Sequence, residues 1–179
     1  MSDRSIILYR CAISLNRVQV VDAVWACQGR APVPEALIVR TETRVAAPPA
    51  TVFAFLTDPE KILRWMGTEA NVEPHVGGIY QLNVSGRDIA RGRFTEVIPV
   101  HRLAYSFGWE KNKNVPPESS LIEIDLVDEG DATLVRLTHS GLPDAKERDN
   151  HAKGWNHYLG RLVVAAVGGD PGPDRPMEA

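Results

Sequence analysis

The side chains best suited to chemistry are the five histidines, His75, His101, His139, His151 and His157. His139 alternates with Val135 and Leu137, so it shares a strand face with apolar side chains. There it could hydrogen-bond a ligand or carry a proton; a backbone partner at the strand end would equally satisfy it. His151 and Trp155 are one helical turn apart, whereas His157 falls on another face. No pair has HExxH spacing, so no metal is expected. Cys11 and Cys27 are too widely separated for a CxxC site and read as reduced thiols. Ser140 stands in His139-Ser140-Gly141 without a GxSxG elbow and reads as a turn residue. Gly168-Gly169 follows an apolar helix instead of opening one, which is the wrong order for cradling a phosphate. Glu73, Glu123 and Asp125 could pair with one another or face water, and spacing alone does not make them a dyad. The chain therefore carries no assembled catalytic motif and reads as a non-enzyme with no cofactor.

The aromatic residues carry more weight. Trp65, Tyr80, Phe94, Tyr105, Phe107, Trp109, Trp155 and Tyr158 all fall where the local pattern turns them towards an interior. Core packing accounts for any one of them. Together, rings with polar tips suit a mostly apolar pocket with a few orienting hydrogen bonds. With His139 they form the candidate ligand-binding set.

These side chains need elements to position them. Ile38–Val45, β-branched with alternate charges, reads as a strand. Pro48-Pro49 stops it and suits a helix start, with Val52, Phe53 and Leu56 on one stripe. Asp58 can cap a second short helix with Pro59 at its first position, followed by Ile62, Leu63 and Met66 and ended by Gly67. Strands follow at 79–84, 89–98, 103–109, 121–127 and 133–139, divided by turn signals such as Ser85-Gly86 and Asp128-Glu129-Gly130-Asp131. Leu103, Tyr105, Phe107 and Trp109 share one face of the third of these. From about Ala145 to Val167, the residues His151, Trp155, Tyr158, Leu159, Leu162, Val163 and Ala166 recur at helical spacing. The order is one strand, two short helices, six strands (five with clear bounds) and a long helix. An antiparallel sheet with one apolar face needs a cover, and the long amphipathic helix supplies one.

Three regions result: an N-terminal extension and Pro-rich linker at 1–37, a domain at 38–168, and a Pro-rich tail at 169–179 expected to fray. The first region fits an extra strand, a helix or a disordered tail alike. Arg10, Arg17 and Asp22 interrupt its apolar stretch, so neither a signal peptide nor a membrane span is expected, and the protein reads as cytoplasmic.

Composition agrees with a soluble domain that has a real core: 44% of the 179 residues are hydrophobic and 24% charged. Twenty Lys and Arg oppose 23 Asp and Glu, for a formal net charge of −3. Such a chain lacks the field that draws proteins to phosphate backbones, so nucleic acid is not an expected partner.

Several stretches resemble the START-like (SRPBCC) superfamily, and within it the family named after the activator of heat-shock protein 90 ATPase. They are Val45-Ala46-Ala47-Pro48-Pro49-Ala50-Thr51-Val52-Phe53, Leu63-Arg64-Trp65, residues 72–80, residues 137–143, and residues 154–162 around Trp155-Asn156-His157-Tyr158. The resemblance implies an α+β helix-grip fold: a curved antiparallel β-sheet wrapped around a long C-terminal α-helix, with two short helices after the first strand. It implies a pocket between helix and sheet. Many such relatives bind hydrophobic small molecules, some help a chaperone, and a few are cyclases or related enzymes. A hydrophobic small molecule is the leading expected partner. A chaperone or other protein, a second copy of the chain, or use of the same pocket by a cyclase- or hydrolase-type enzyme are the alternatives. Residues 1–37 fall outside the resemblance, which would also fit an initiation codon placed too far upstream.

Overall fold

Alternation of β-branched and charged residues makes Val39–Val45 the first strand, β1. The computed structural model describes residues 37–174; the expectations for residues 1–36, with Cys11 and Cys27, and for residues 175–179 lie outside the described residues. After β1 come α1 (Pro49–Thr57), α2 (Pro59–Ile62), β2 (Glu69–Val72), β3 (Ile79–Asn83), β4 (Ile89–Ile98), β5 (Arg102–Phe107), β6 (Ser120–Asp128), β7 (Thr133–Ser140) and α3 (Ala145–Ala166). The strands form one antiparallel sheet in the order β1-β7-β6-β5-β4-β3-β2. The long helix covers one face of this curved sheet, which is the helix-grip arrangement. Among the described residues, no helix is long and apolar enough to cross a membrane.

Period-two patterning decides the two faces of the sheet. Leu103, Tyr105 and Phe107 on β5, Ile122, Ile124 and Leu126 on β6, and Val135, Leu137 and His139 on β7 are all buried beneath the helices. On the outer face Arg102 joins three strands, donating to Glu96 of β4 at 2.7 Å and to Glu123 and Asp125 of β6 at 2.5 and 2.7 Å. A register shift between Phe94 and Glu96 interrupts the β4–β5 ladder, the kind of bulge that bends a strand.

Helix termini follow local chemistry. Asp58 accepts from the Glu60 amide at 3.0 Å ahead of α2, and Asp144 accepts from the Glu147 amide at 2.8 Å at the start of α3. On α3 the buried stripe is Glu147, His151, Trp155, Leu159 and Leu162, with Tyr158 half-buried at its edge. On α1 the stripe is Val52, Phe55 and Leu56; Phe53, expected on it, is only partly buried. Helix α1 packs against both β6 and α3, which turns Phe55 inwards.

The tail does not fray as far as Asp174. Arg161 of α3 donates to the carbonyls of Gly172 at 3.0 Å and Pro171 at 3.3 Å, and His157 meets Asp174 at 2.9 Å. The same guanidinium reaches the Trp65 carbonyl at 2.9 Å, tying the end of the α2 segment to the long helix.

Strands β4 and β5 approach so closely at Gly92 that a Cβ there would lie 1.6 Å from the Ser106 carbonyl oxygen. Backbone cannot yield as a flexible side chain would. Gly92→Ala should therefore lower stability by about 3 kcal/mol, the upper end of ordinary overpacking costs, as read by denaturant unfolding. A loss below ~0.5 kcal/mol, the range of an uncoupled surface change, would show that the strands can separate.

Candidate functional site

Two indole–imidazole pairs join α3 to the sheet. Trp155 of α3 donates its Nε1–H to Nδ1 of His139 on β7 at 3.1 Å. That nitrogen must be unprotonated, so the proton sits on Nε2, which donates to Ser120 Oγ at 2.9 Å. Ser120 in turn donates to the Phe107 carbonyl at 2.9 Å. The second pair runs the other way. Trp109, just after β5, donates its Nε1–H to Nε2 of His151 at 3.0 Å, and His151 donates Nδ1–H to the Glu147 carbonyl at 2.7 Å. The two imidazoles therefore hold opposite tautomers, each dictated by its neighbours.

The rings pack as tightly as they bond. Phe107 meets Trp109, His139 and His151 edge-on, at centroid separations of 5.2, 5.3 and 6.0 Å, and Trp155 at 6.3 Å. His139 and His151 lie edge-to-face at 4.8 Å. Burial holds both imidazoles below the ordinary value of 6.5, His139 far below, and the neighbouring His151 adds to the shift of His139. For His151 the Glu147 carbonyl and carboxylate work against burial without reversing it.

Beside this cluster the helix stands off the sheet and leaves a cavity of about 720 Å³. Its walls include Tyr80 and Leu82 of β3, Ala90 of β4, Phe107, and on α3 His151, Gly154, Trp155 and Tyr158, with Trp109 alongside. Polar residues of the Ser85–Asp88 turn and of residues 111–114 form the mouth. Tyr80 stacks on Tyr105 at 4.0 Å, and burial pushes the Tyr80 hydroxyl up to about 12. The pKa of the Tyr158 hydroxyl is raised mainly by burial, then by the Asp174 carboxylate.

The structure thus brings Tyr80, Phe107, Trp109, Trp155 and Tyr158 to one cavity and leaves the other expected residues off it. Trp65 is buried beneath α1, its indole N–H donating to the Phe55 carbonyl at 2.9 Å. With Tyr105 it borders only a separate void of about 10 Å³. Phe94 lies edge-on to Tyr80 and Tyr105, deeper in the core. His139 is fully buried with both ring nitrogens engaged, so it stands behind the wall as a support for Trp155. The sequence reading missed Ser120 and Glu147 and left His151 out of the binding set. The Glu147–His151–Trp155 spacing, one turn per step, was the available signal. Among the described residues no group of three His, Cys, Asp or Glu side chains could hold a metal ion.

A curved sheet gripping one long helix, with an aromatic cavity between them, defines the START-like class of fold. The family model described as Activator of Hsp90 ATPase homolog 1-like protein matches residues 46–166, and the chain belongs to that family. The solution structure of an AHSA1-like protein from Rhizobium etli is 62% identical, with a TM-score of 0.63; the match covers 79% of this chain and 91% of that one. A crystal structure of DynU16, from the dynemicin biosynthetic locus, is 24% identical with a TM-score of 0.66, covering 75% of this chain and 48% of that one. An HSP90 activator from Plasmodium falciparum is 22% identical with a TM-score of 0.61, covering 71% and 94%. These last two likenesses show the fold alone. No curated protein matches the chain.

Two outcomes follow from the ring cluster. Trp155→Ala should cost about 3–5 kcal/mol through lost packing. Trp155→Phe should cost about 1–3 kcal/mol, because His139 Nδ1 is left buried without its donor. A loss below ~0.5 kcal/mol for Trp155→Phe in denaturant unfolding would contradict the role given to the indole N–H. Acid provides the other. Both folded imidazoles resist protonation below 6.5, so the unfolded chain takes up protons that the folded chain refuses. Their contribution is fully present above about pH 6.5 and is lost as the pH falls towards the folded values, at up to ~1.4 kcal/mol per pH unit for each histidine. His151→Gln should flatten this dependence between pH 6.5 and 5; an unchanged slope would contradict it.

Proposed function

We propose that this chain is a cytoplasmic small-molecule binding protein whose ligand sits in the cavity between α3 and the sheet, and that it performs no chemistry on that ligand. The observation that carries this reading is the cavity itself. At about 720 Å³ it lies within the range of about 300–1,000 Å³ usual for small-molecule sites, and its walls are chiefly aromatic and apolar. Its ring nitrogens are committed to structural partners, which suits holding a molecule. The alternative of a chaperone-assisting surface calls for a broad exposed apolar patch. The exposed large apolar side chains Leu63, Val76, Ile98, Val127, Val164 and Val167 come instead from the end of α2, the β2–β3 loop, two strand ends and the last turn of α3.

Gly154 offers a clean test because it lines the cavity from the middle of α3. Gly154→Leu removes a poor helix former, adding about 1 kcal/mol of helix propensity, while its side chain fills the space. The wild-type chain should bind the neutral probe N-phenyl-1-naphthylamine at one site, with quenching of tryptophan emission, and the folded variant should not. Undiminished binding by Gly154→Leu would place the probe elsewhere. Absence of binding by the wild type would favour the protein–protein reading.

A further inference from the structure

Inside the cavity the ring nitrogens of the walls are already taken. The indole N–H groups of Trp109 and Trp155 go to His151 and His139, and the second nitrogen of His151 to a backbone carbonyl. A molecule seated there meets ring faces and aliphatic groups. The cationic partners for a charged group lie at the mouth.

The mouth is positively charged. Arg87 projects from the turn between β3 and β4, and Lys111 and Lys113 from the loop after β5; all three are exposed and line the opening. Among the described residues none of the three makes an ion pair, although Arg44, Arg91, Arg93 and Arg136 elsewhere on the surface each have a carboxylate partner. The two acids in the lining are engaged: Asp88 accepts from Ser85 at 2.6 Å, and Glu147 is buried and accepts from Asn114 at 3.2 Å. Three cations against two acids leave this opening positive on a chain whose formal net charge is −3. Unpaired like charges around a concave site with low-dielectric walls focus the field and favour an anion there.

We propose that the ligand is an amphipathic anion: an apolar ring body held among Phe107, Trp109, Trp155 and Tyr158, with one carboxylate, sulfonate or phosphate at the mouth against Arg87, Lys111 and Lys113. This rests on the small-molecule reading above and adds the chemical class of the ligand.

Two fluorescent probes with one aromatic skeleton separate the two claims. N-phenyl-1-naphthylamine is neutral, and 8-anilinonaphthalene-1-sulfonate adds a single anionic group to it. At low salt the full chain should bind both, the sulfonate about tenfold tighter, equivalent to about 1.4 kcal/mol of preference. The preference should approach parity at about 1 M salt, where the screening length falls to roughly 3 Å. The triple variant R87Q/K111Q/K113Q should lose the preference while binding the neutral probe within about twofold of wild type, all three positions being exposed loop residues. Equal binding of the two probes by the wild type, or a preference that survives in the triple variant, would overturn the anionic class and leave the cavity reading standing. Binding of neither probe would overturn both.

Discussion

The hydrogen bond from the Trp155 indole to His139 is the contact on which the rest of the site depends. It links the middle of α3 to β7, and the Ser120 hydroxyl and Phe107 carbonyl behind it extend the link across β6 to β5. A single neutral hydrogen bond contributes only about 1 kcal/mol net, but a buried donor or acceptor left unpaired costs about 1–3 kcal/mol. The chain of bonds therefore acts less as glue than as a constraint on position. With the helix rotated or slid by one residue, several buried polar atoms would lose their partners together. The Trp109–His151 pair repeats the device nearer the start of α3 and fixes the same helix a second time.

From that constraint the cavity follows. Towards the C-terminal half of α3, Leu159 and Leu162 meet the core directly, and the void near Trp65 and Tyr105 is about 10 Å³. Towards its N-terminal half the helix is held at the length of an indole plus an imidazole. Neither ring can collapse inwards without breaking its bond, so the space beside them stays open. The edge-on contacts of Phe107 with both histidines and with Trp109 make that wall stiff. Burial keeps the imidazoles neutral, which the two acceptor nitrogens require. An imidazolium could accept nothing from an indole N–H.

Much of this was legible in the sequence because it depends on period and punctuation. The alternation Leu103, Tyr105, Phe107 states the inner face of β5 outright, and Asp58 before Pro59 states a cap. Residues whose position depends on how two elements pack were harder to place. Phase alone turned His139 inwards correctly but could not say that it lies one layer behind the cavity wall. Phe53 and Phe55 exchanged roles because α1 packs against β6 and α3 at once, a constraint absent from its own periodicity. Trp65, Phe94 and Tyr105 were rightly seen as interior. Their distance from the cavity is set by where the helix lifts from the sheet. The cationic mouth had no signal in the sequence, since Arg87 and Lys111 are brought together by the β4–β5 pairing that holds Trp109 opposite Ala90.

The two opposite tautomers fix the helix over the cavity, and imidazole ¹⁵N chemical shifts report them directly. In the folded protein at neutral pH, His139 should show a protonated Nε2 and a bare Nδ1, and His151 the reverse. Each bare nitrogen should correlate with a tryptophan Nε1–H that exchanges slowly with solvent. Averaged tautomers, an imidazolium at neutral pH, or rapid exchange of the Trp155 indole proton would contradict the fixed helix, and with it the cavity that depends on it.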